Sequence, residues 1–179
     1  YSDITNTPLS YNENGTGIQT PYTLASGGNS FAVGGSTQAS GESSTAMGQD
    51  TKAIGSVSTA MGYNTTASGD FSTAMGYGTT ASGLLSTAMG RGTNAQDYGT
   101  TAIGIFNNTK ETSNPDEYYL HNTAFVIGNG WFNEGQEIVT SNAFEVLFDG
   151  TTTIAGDLNI NSDARLKANI ISLGATLSK

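Results

Sequence analysis

Cysteine is absent from the 179 residues, so neither a disulfide framework nor a thiolate metal site exists. His121 is the single histidine, too little for a histidine-built metal centre; no metal and no cofactor is expected. Basic residues are scarce. Six Lys and Arg against fifteen Asp and Glu leave a net charge of −9 and a pI near 4.2. A nucleic-acid partner is excluded on that balance, because phosphate backbones demand a basic face. Charged residues of both signs together make up only 12% of the chain, which fits a secreted or surface-exposed β-rod. No run of about eighteen apolar residues occurs, so no segment of this stretch is expected to span a membrane. The chain begins at Tyr1 with neither a Met nor a signal peptide, and reads as a fragment of something longer.

What is abundant is glycine, 24 residues, and it comes in register. Thr45-Ala46-Met47-Gly48, Thr59-Ala60-Met61-Gly62, Thr73-Ala74-Met75-Gly76 and Thr87-Ala88-Met89-Gly90 follow one another at a spacing of fourteen residues. Phe31-Ala32-Val33-Gly34 opens the series and Thr101-Ala102-Ile103-Gly104 closes it. A fixed period takes precedence over every other reading of a sequence. Between these rungs runs a second motif, Ala67-Ser68-Gly69 and Ala81-Ser82-Gly83, with variants at Ala25, Ala39 and Ala53, so each repeat is two similar halves of seven residues. Fourteen residues are too few for a helix-turn-helix. They suit two short strands and two tight turns, with glycine turning the chain: one coil of a parallel β-roll. Coils spaced by about 4.8 Å from Ala25 to Asn108 make a rod of roughly 30 Å. A flexible Gly/Ser linker does not hold Ala and Met in register.

Neighbouring strand residues face opposite ways. With Ala67 inside, Ser68 is outside; by the half-period, Ala74 is inside and Met75 outside. Met47, Met61, Met75, Met89 and Ile103 then form an exposed apolar stripe. A monomer rarely leaves such a stripe bare, and its simplest cover is the same stripe on other copies of the chain. The alternative orientation, Met inside and Ala outside, keeps the fold and removes that argument.

In order, residues 1–24 are a polar lead-in with Pro8 and Pro21, and 25–108 are the roll. Its variable positions are Glu42, Val57, Phe71, Leu84, Leu85 and Tyr98 at one set of turns, and Gln49, Tyr63, Tyr77 and Arg91 after the second glycine; turns point outward and tolerate change. Residues 109–160 form an irregular β-rich tip. A long loop over 107–122 leads into it, Thr123 to Ile127 and Ala143 to Phe148 are strands, Asp149-Gly150 is a hairpin signal, and Thr151 to Ile154 is the return strand. In 161–179, Leu166, Ile170, Leu173 and Leu177 recur at spacings of three and four, as in an amphipathic helix capped by Ser162.

Two resemblances follow from these residues. The ladder resembles the head repeats of trimeric autotransporter adhesins, the YadA/Hia-like β-roll. Their Ser-Val-Ala-Ile-Gly motif stands here as Ser-Thr-Ala-Met-Gly at 44–48, 58–62, 72–76 and 86–90. Ser162-Asp163-Ala164-Arg165-Leu166-Lys167-Ala168-Asn169-Ile170 resembles the start of the peptidase S74-type intramolecular chaperone that ends phage tail spikes, tail fibres and some bacterial fibres. Together they imply an all-β chain: a homotrimeric, left-handed parallel β-roll of 14-residue coils, then an irregular β tip, ending in a short helix. The chaperone resemblance implies a cut between Ser162 and Asp163, with Ser162 as nucleophile and Lys167 as its base. A serine needs such a base, and a lysine whose pKa burial lowers can serve.

The expected function is that of an adhesive surface fibre, extracellular on a cell or virion. Its tip binds a glycan or other envelope component through Trp131, Tyr118, Tyr119, His121 and Phe132, with Asn129, Asp116 and Glu134 as secondary candidates. Aromatic rings offer apolar faces to sugar C–H groups, and their polar tips suit a half-wet site. A phage tail fibre and a purely structural shaft are the alternatives. A glycan-cleaving tip needs two carboxylates about 5–10 Å apart; Asp116, Glu117, Glu134, Glu137 and Glu145 are available, but no pattern selects a pair.

Overall fold

A computed structural model of the chain describes residues 22–109 and 114–156, together with the backbone of 10–11 and 18–19. The helix expected in 161–179, with Ser162 and Lys167, lies outside the described residues, as does the β structure expected over 157–160. Every regular element among the described residues is a strand.

From Leu24 to Ile105 the chain winds as a parallel β-solenoid. Each coil holds a five-residue strand such as Thr45–Gln49 and a two-residue strand such as Lys52–Ala53. Like residues stack on like: Thr45 on Thr59, Ala46 on Ala60, Met47 on Met61, and so on through Thr73–Tyr77 and Thr87–Arg91 to Thr101–Ile105. The short strands stack the same way, from Leu24–Ala25 to Asn94–Ala95. The alternation of facing is as the half-period requires. Alanines from Ala25 to Ala102, one every seven residues, are fully buried, while Met47, Met61, Met75, Met89 and Ile103 are half-buried on the outer face of the long sheet. Between the alanines the interior holds serines and threonines, Ser44, Thr51, Ser58, Thr65 and their equivalents, so only small side chains fill the space between the two sheets.

The turns differ from expectation in one respect. The corner residue of each turn is not a motif glycine; it sits two positions later, at every seventh residue. Ser43 (φ 54°), Asp50 (55°), Val57 (57°), Asn64 (52°) and Phe71 (55°) are all left-handed there. The motif glycines are required for a different reason. Gly62, at φ 122°, lies within a strand, and a Cβ there would run into the carbonyl oxygen of Gly76 in the next coil. The coils approach so closely at this column that no side chain fits.

The tip continues the roll and ends it. Thr123–Asn129 adds to the long sheet in parallel, with Val126 beside Ala102 and Gly128 beside Gly104. Val126, 2% exposed, terminates the alanine core with a larger side chain. Asn142–Leu147 and Thr152–Ile154 then close the sheet antiparallel, through the predicted turn, where the Gly150 N–H donates to the Leu147 carbonyl at 3.0 Å. A separate small hairpin pairs Trp131–Phe132 with Ile138–Val139. The described part of the expected long loop is not loose. The Leu84 and Tyr98 amides donate to the carbonyls of Pro115 (2.8 Å) and Asn114 (2.9 Å), so the loop runs back along the roll. Beneath it, the Thr123 N–H donates to Asp97 Oδ2 at 2.8 Å and the Thr100 hydroxyl to the Thr123 carbonyl.

The glycine column yields a direct test. Gly62→Ala forces the stacked coils apart and is expected to lower stability by about 2–4 kcal/mol, through strain and lost packing. Ser68→Ala, on the exposed face, is expected to stay within about 0.5 kcal/mol of the parent. Denaturant unfolding followed by circular dichroism measures both; equal stability of the two variants contradicts the stacking account.

Candidate ligand-binding site

The residues expected at the tip fall into two groups. In the first, Tyr118 and Tyr119 follow the loop that runs back along the roll, and both are exposed. The Tyr118 ring meets Phe148 edge-on at 5.1 Å between centroids and Tyr98 at 6.5 Å, so the loop is fastened to both the roll and the closing strand. Tyr119 stands edge-on to His121 at 5.3 Å, and His121 Nδ1 lies 3.0 Å from Asp149 Oδ2. The Asp149 carboxyl is held below the usual carboxylate range, first by the Thr151 N–H (2.7 Å) and hydroxyl, then by His121. That turn sets the imidazole beside the carboxylate.

The second group is the small hairpin. Trp131 and Phe132 are 53% and 40% exposed, so in the protomer neither plugs a core. Phe132 packs edge-on against Phe106, centroids 5.1 Å apart. Among the described residues no ring contact joins this group to Tyr118, Tyr119 and His121. The weaker candidates scatter: Asn129 ends its strand, its N–H donating to the Ser141 carbonyl at 3.0 Å; Glu134 is exposed in the hairpin turn. Asp116 is exposed, and its N–H is 3.4 Å from Asn114 Oδ1, an oxygen that also faces the Glu117 N–H.

What sequence reasoning missed is how the roll feeds into the second group. Tyr63 and Tyr77 stack face to face, 5.1 Å between centroids and 12° between planes. The Arg91 guanidinium continues that column, 5.6 Å from the Tyr77 ring centre, 5.6 Å from Phe106 and 5.0 Å from Phe132. The signal was present in the sequence: Tyr63, Tyr77 and Arg91 occupy one column of the period, and residues in one column of a solenoid touch.

Two of the five candidate carboxylates have structural partners. Glu145 Oε1 accepts from the Thr123 hydroxyl at 2.8 Å, and Glu137 Oε2 from the Asn133 amide at 3.1 Å. Among the described residues, no group of three or more His, Cys, Asp or Glu is placed to hold a metal ion, and no helix is long and apolar enough to cross a membrane.

Neither the curated proteins nor the solved structures contain a match to this chain. A protein family does: residues 25–51, 53–79 and 81–106 match the YadA head domain repeat. The matched segments cover the solenoid coils with their buried alanines and stacked glycines, and stop where Phe106 meets the tip. The solenoid of this chain is therefore similar to a stack of YadA head domain repeats, and that similarity indicates a surface-exposed fibre like those of trimeric autotransporter adhesins.

Proposed function

We propose that the chain is the distal part of a homotrimeric adhesive fibre whose tip binds a glycan or another cell-envelope component, and that it matures with a self-cleaving C-terminal chaperone. The observation that carries the binding role is the pair Trp131 and Phe132, held exposed on a short hairpin where the regular rod ends. Exposed aromatic rings where the regular rod ends suit the C–H face of a sugar. Tyr118, Tyr119 and His121 offer a second, separate set of exposed rings in the tip. The tip acts by binding and not by turnover; self-cleavage is the single reaction assigned to the precursor.

Two features support the trimer. The interior of the roll is alanine, serine and threonine, so a single roll buries little apolar surface on folding. The compensating apolar residues are outside: the in-register Met stripe and, at one corner, Val57, Phe71 and Leu85, 50%, 55% and 48% exposed. Packing three such faces together supplies the core that each roll lacks. The same fibre on a phage tail is a second reading, which the chaperone-like sequence at 162–170 favours equally.

Three outcomes are expected. Met61→Gln with Met75→Gln shifts the assembly from trimer toward monomer at micromolar concentration in analytical ultracentrifugation; a parent chain that sediments as a monomer refutes the interface. Trp131→Ala, Tyr118→Ala and Tyr119→Ala together lower binding on a glycan array by at least about tenfold, which corresponds to about 1.4 kcal/mol, while the trimer persists; retained binding removes the tip site. In a precursor carrying the whole chaperone, intact mass shows a product ending at Ser162, and Ser162→Ala or Lys167→Ala stops its formation. Processing that continues in Ser162→Ala rules out the nucleophile.

A further inference from the structure

One corner of the solenoid is a column of left-handed residues spaced by fourteen: Ser36, Asp50, Asn64, Gly78, Gly92 and Phe106. The first three carry polar side chains, the next two carry none, and Phe106 closes the end. Where the two side chains are missing, a groove of about 400 Å³ opens between the roll and the small hairpin, lined by Tyr77, Gly78, Gly92, Asn94, Phe106 and Ile138 among others. That volume lies within the range of small-ligand sites, about 300–1,000 Å³.

The two glycines have different causes. A Cβ on Gly92 would strike the Phe106 ring, so packing requires that glycine. A Cβ on Gly78 would meet nothing within 4 Å, and Asn64 adopts the same conformation one coil earlier, at φ 52° against 63°. Asparagine tolerates this region, so neither sterics nor backbone demands an empty position at 78. What the missing side chain provides is the groove.

The walls define a chemistry. Tyr77 and Phe106 offer apolar ring surface. Asn94 offers an under-satisfied amide: its Oδ1 makes no hydrogen bond and its Nδ2 only a 3.5 Å contact with Gln96. Arg91 stands over both rings. Among the described residues Arg91 and Lys52 are the basic ones, and no carboxylate pairs with the Arg91 guanidinium. In a chain of net charge −9, an unpaired arginine over two aromatic rings that line the groove is matched to an anion. A planar guanidinium binds a carboxylate through two parallel hydrogen bonds. A neutral sugar leaves Arg91 unused, and a simple aliphatic acid leaves the Asn94 amide unused.

We propose that this groove binds an acidic saccharide, a uronic- or sialic-acid-bearing glycan, with its carboxylate on Arg91 and a C–H face of its ring against Tyr77 and Phe106. The proposal shares the adhesive reading's ligand class and rests on different residues from the tip site. The test titrates the assembled protein with 3′-sialyllactose and with trigalacturonate, using lactose as the neutral probe, by calorimetry and by NMR of the tyrosine ring protons. At least one acid is expected to bind about tenfold or more tightly than lactose and to weaken as salt rises. Arg91→Gln is expected to cost about tenfold or more in that affinity. Gly78→Asn fills the groove and abolishes binding, with the melting temperature unchanged. Failure of both acids to bind, equal binding of lactose, or full binding by either variant overturns the site. Binding kept in Gly78→Asn but lost in Trp131→Ala assigns the ligand to the tip instead. Binding lost in Gly78→Asn but kept in Trp131→Ala establishes the groove and refutes the tip.

Discussion

The structure depends on one spacing. Parallel strands stack about 4.8 Å apart, and here every residue of a coil lies over its equivalent in the next. That spacing admits a row of alanines, a row of methionines or a row of stacked tyrosines. It admits no row of Cβ atoms where the backbones of successive coils touch, which is why Gly48, Gly62, Gly76, Gly90 and Gly104 have carbonyl oxygens where side chains would go. The interior follows from the same constraint. Two sheets joined by seven-residue half-coils lie too close for anything beyond Ala, Ser and Thr, so large apolar residues are displaced to the outside.

The corners are where the coils are free to differ. Their backbone is fixed in the left-handed region at every seventh residue, from Tyr22 to Phe106, yet their side chains point away from the core. At one corner the column runs Ser43, Val57, Phe71, Leu85, bulky residues in a conformation that bulky residues rarely adopt. Stacking holds them there, because each corner amide also bonds the coil before it, as the Val57 N–H does to the Glu42 carbonyl at 2.7 Å. At the other corner, polar residues give way to Gly78 and Gly92 and then to Phe106, and the flank of the rod changes from a regular surface to a groove.

The tip ends the repeat by altering the same columns. Val126 replaces alanine inside, Gly128 keeps the glycine column for one more strand, and Asn142–Leu147 reverses direction so that no further coil can add in parallel. The loop carrying Pro115 and Tyr118 is tied to Leu84 and Tyr98, and the hairpin carrying Trp131 and Phe132 rests on Phe106. The aromatic residues are thus presented by elements anchored on the last coils of the rod, with one part of each ring set packed and the rest exposed.

Much of this was determined by the sequence alone. The fourteen-residue period sets the coil, its half-period sets which residues face inward, and Asp149-Gly150 sets the closing turn, because each is a local rule repeated or a local signal unopposed. Other features required the tertiary structure. The motif glycines read as turn residues, but contact between coils, invisible within one repeat, requires them, together with a positive φ inside the strand at Gly34, Gly48, Gly62, Gly76, Gly90 and Gly104. Trp131 and Tyr118 read as one site, yet the hairpin of Trp131 packs on Phe106 while Tyr118 packs on Tyr98 and Phe148, since sequence proximity does not fix which neighbours a loop meets. Tyr77 and Arg91 share a column of the period, but only the structure shows the Arg91 guanidinium reaching Phe106 in the neighbouring column, and the small hairpin, packed on Phe106 through Phe132, enclosing a groove beside them.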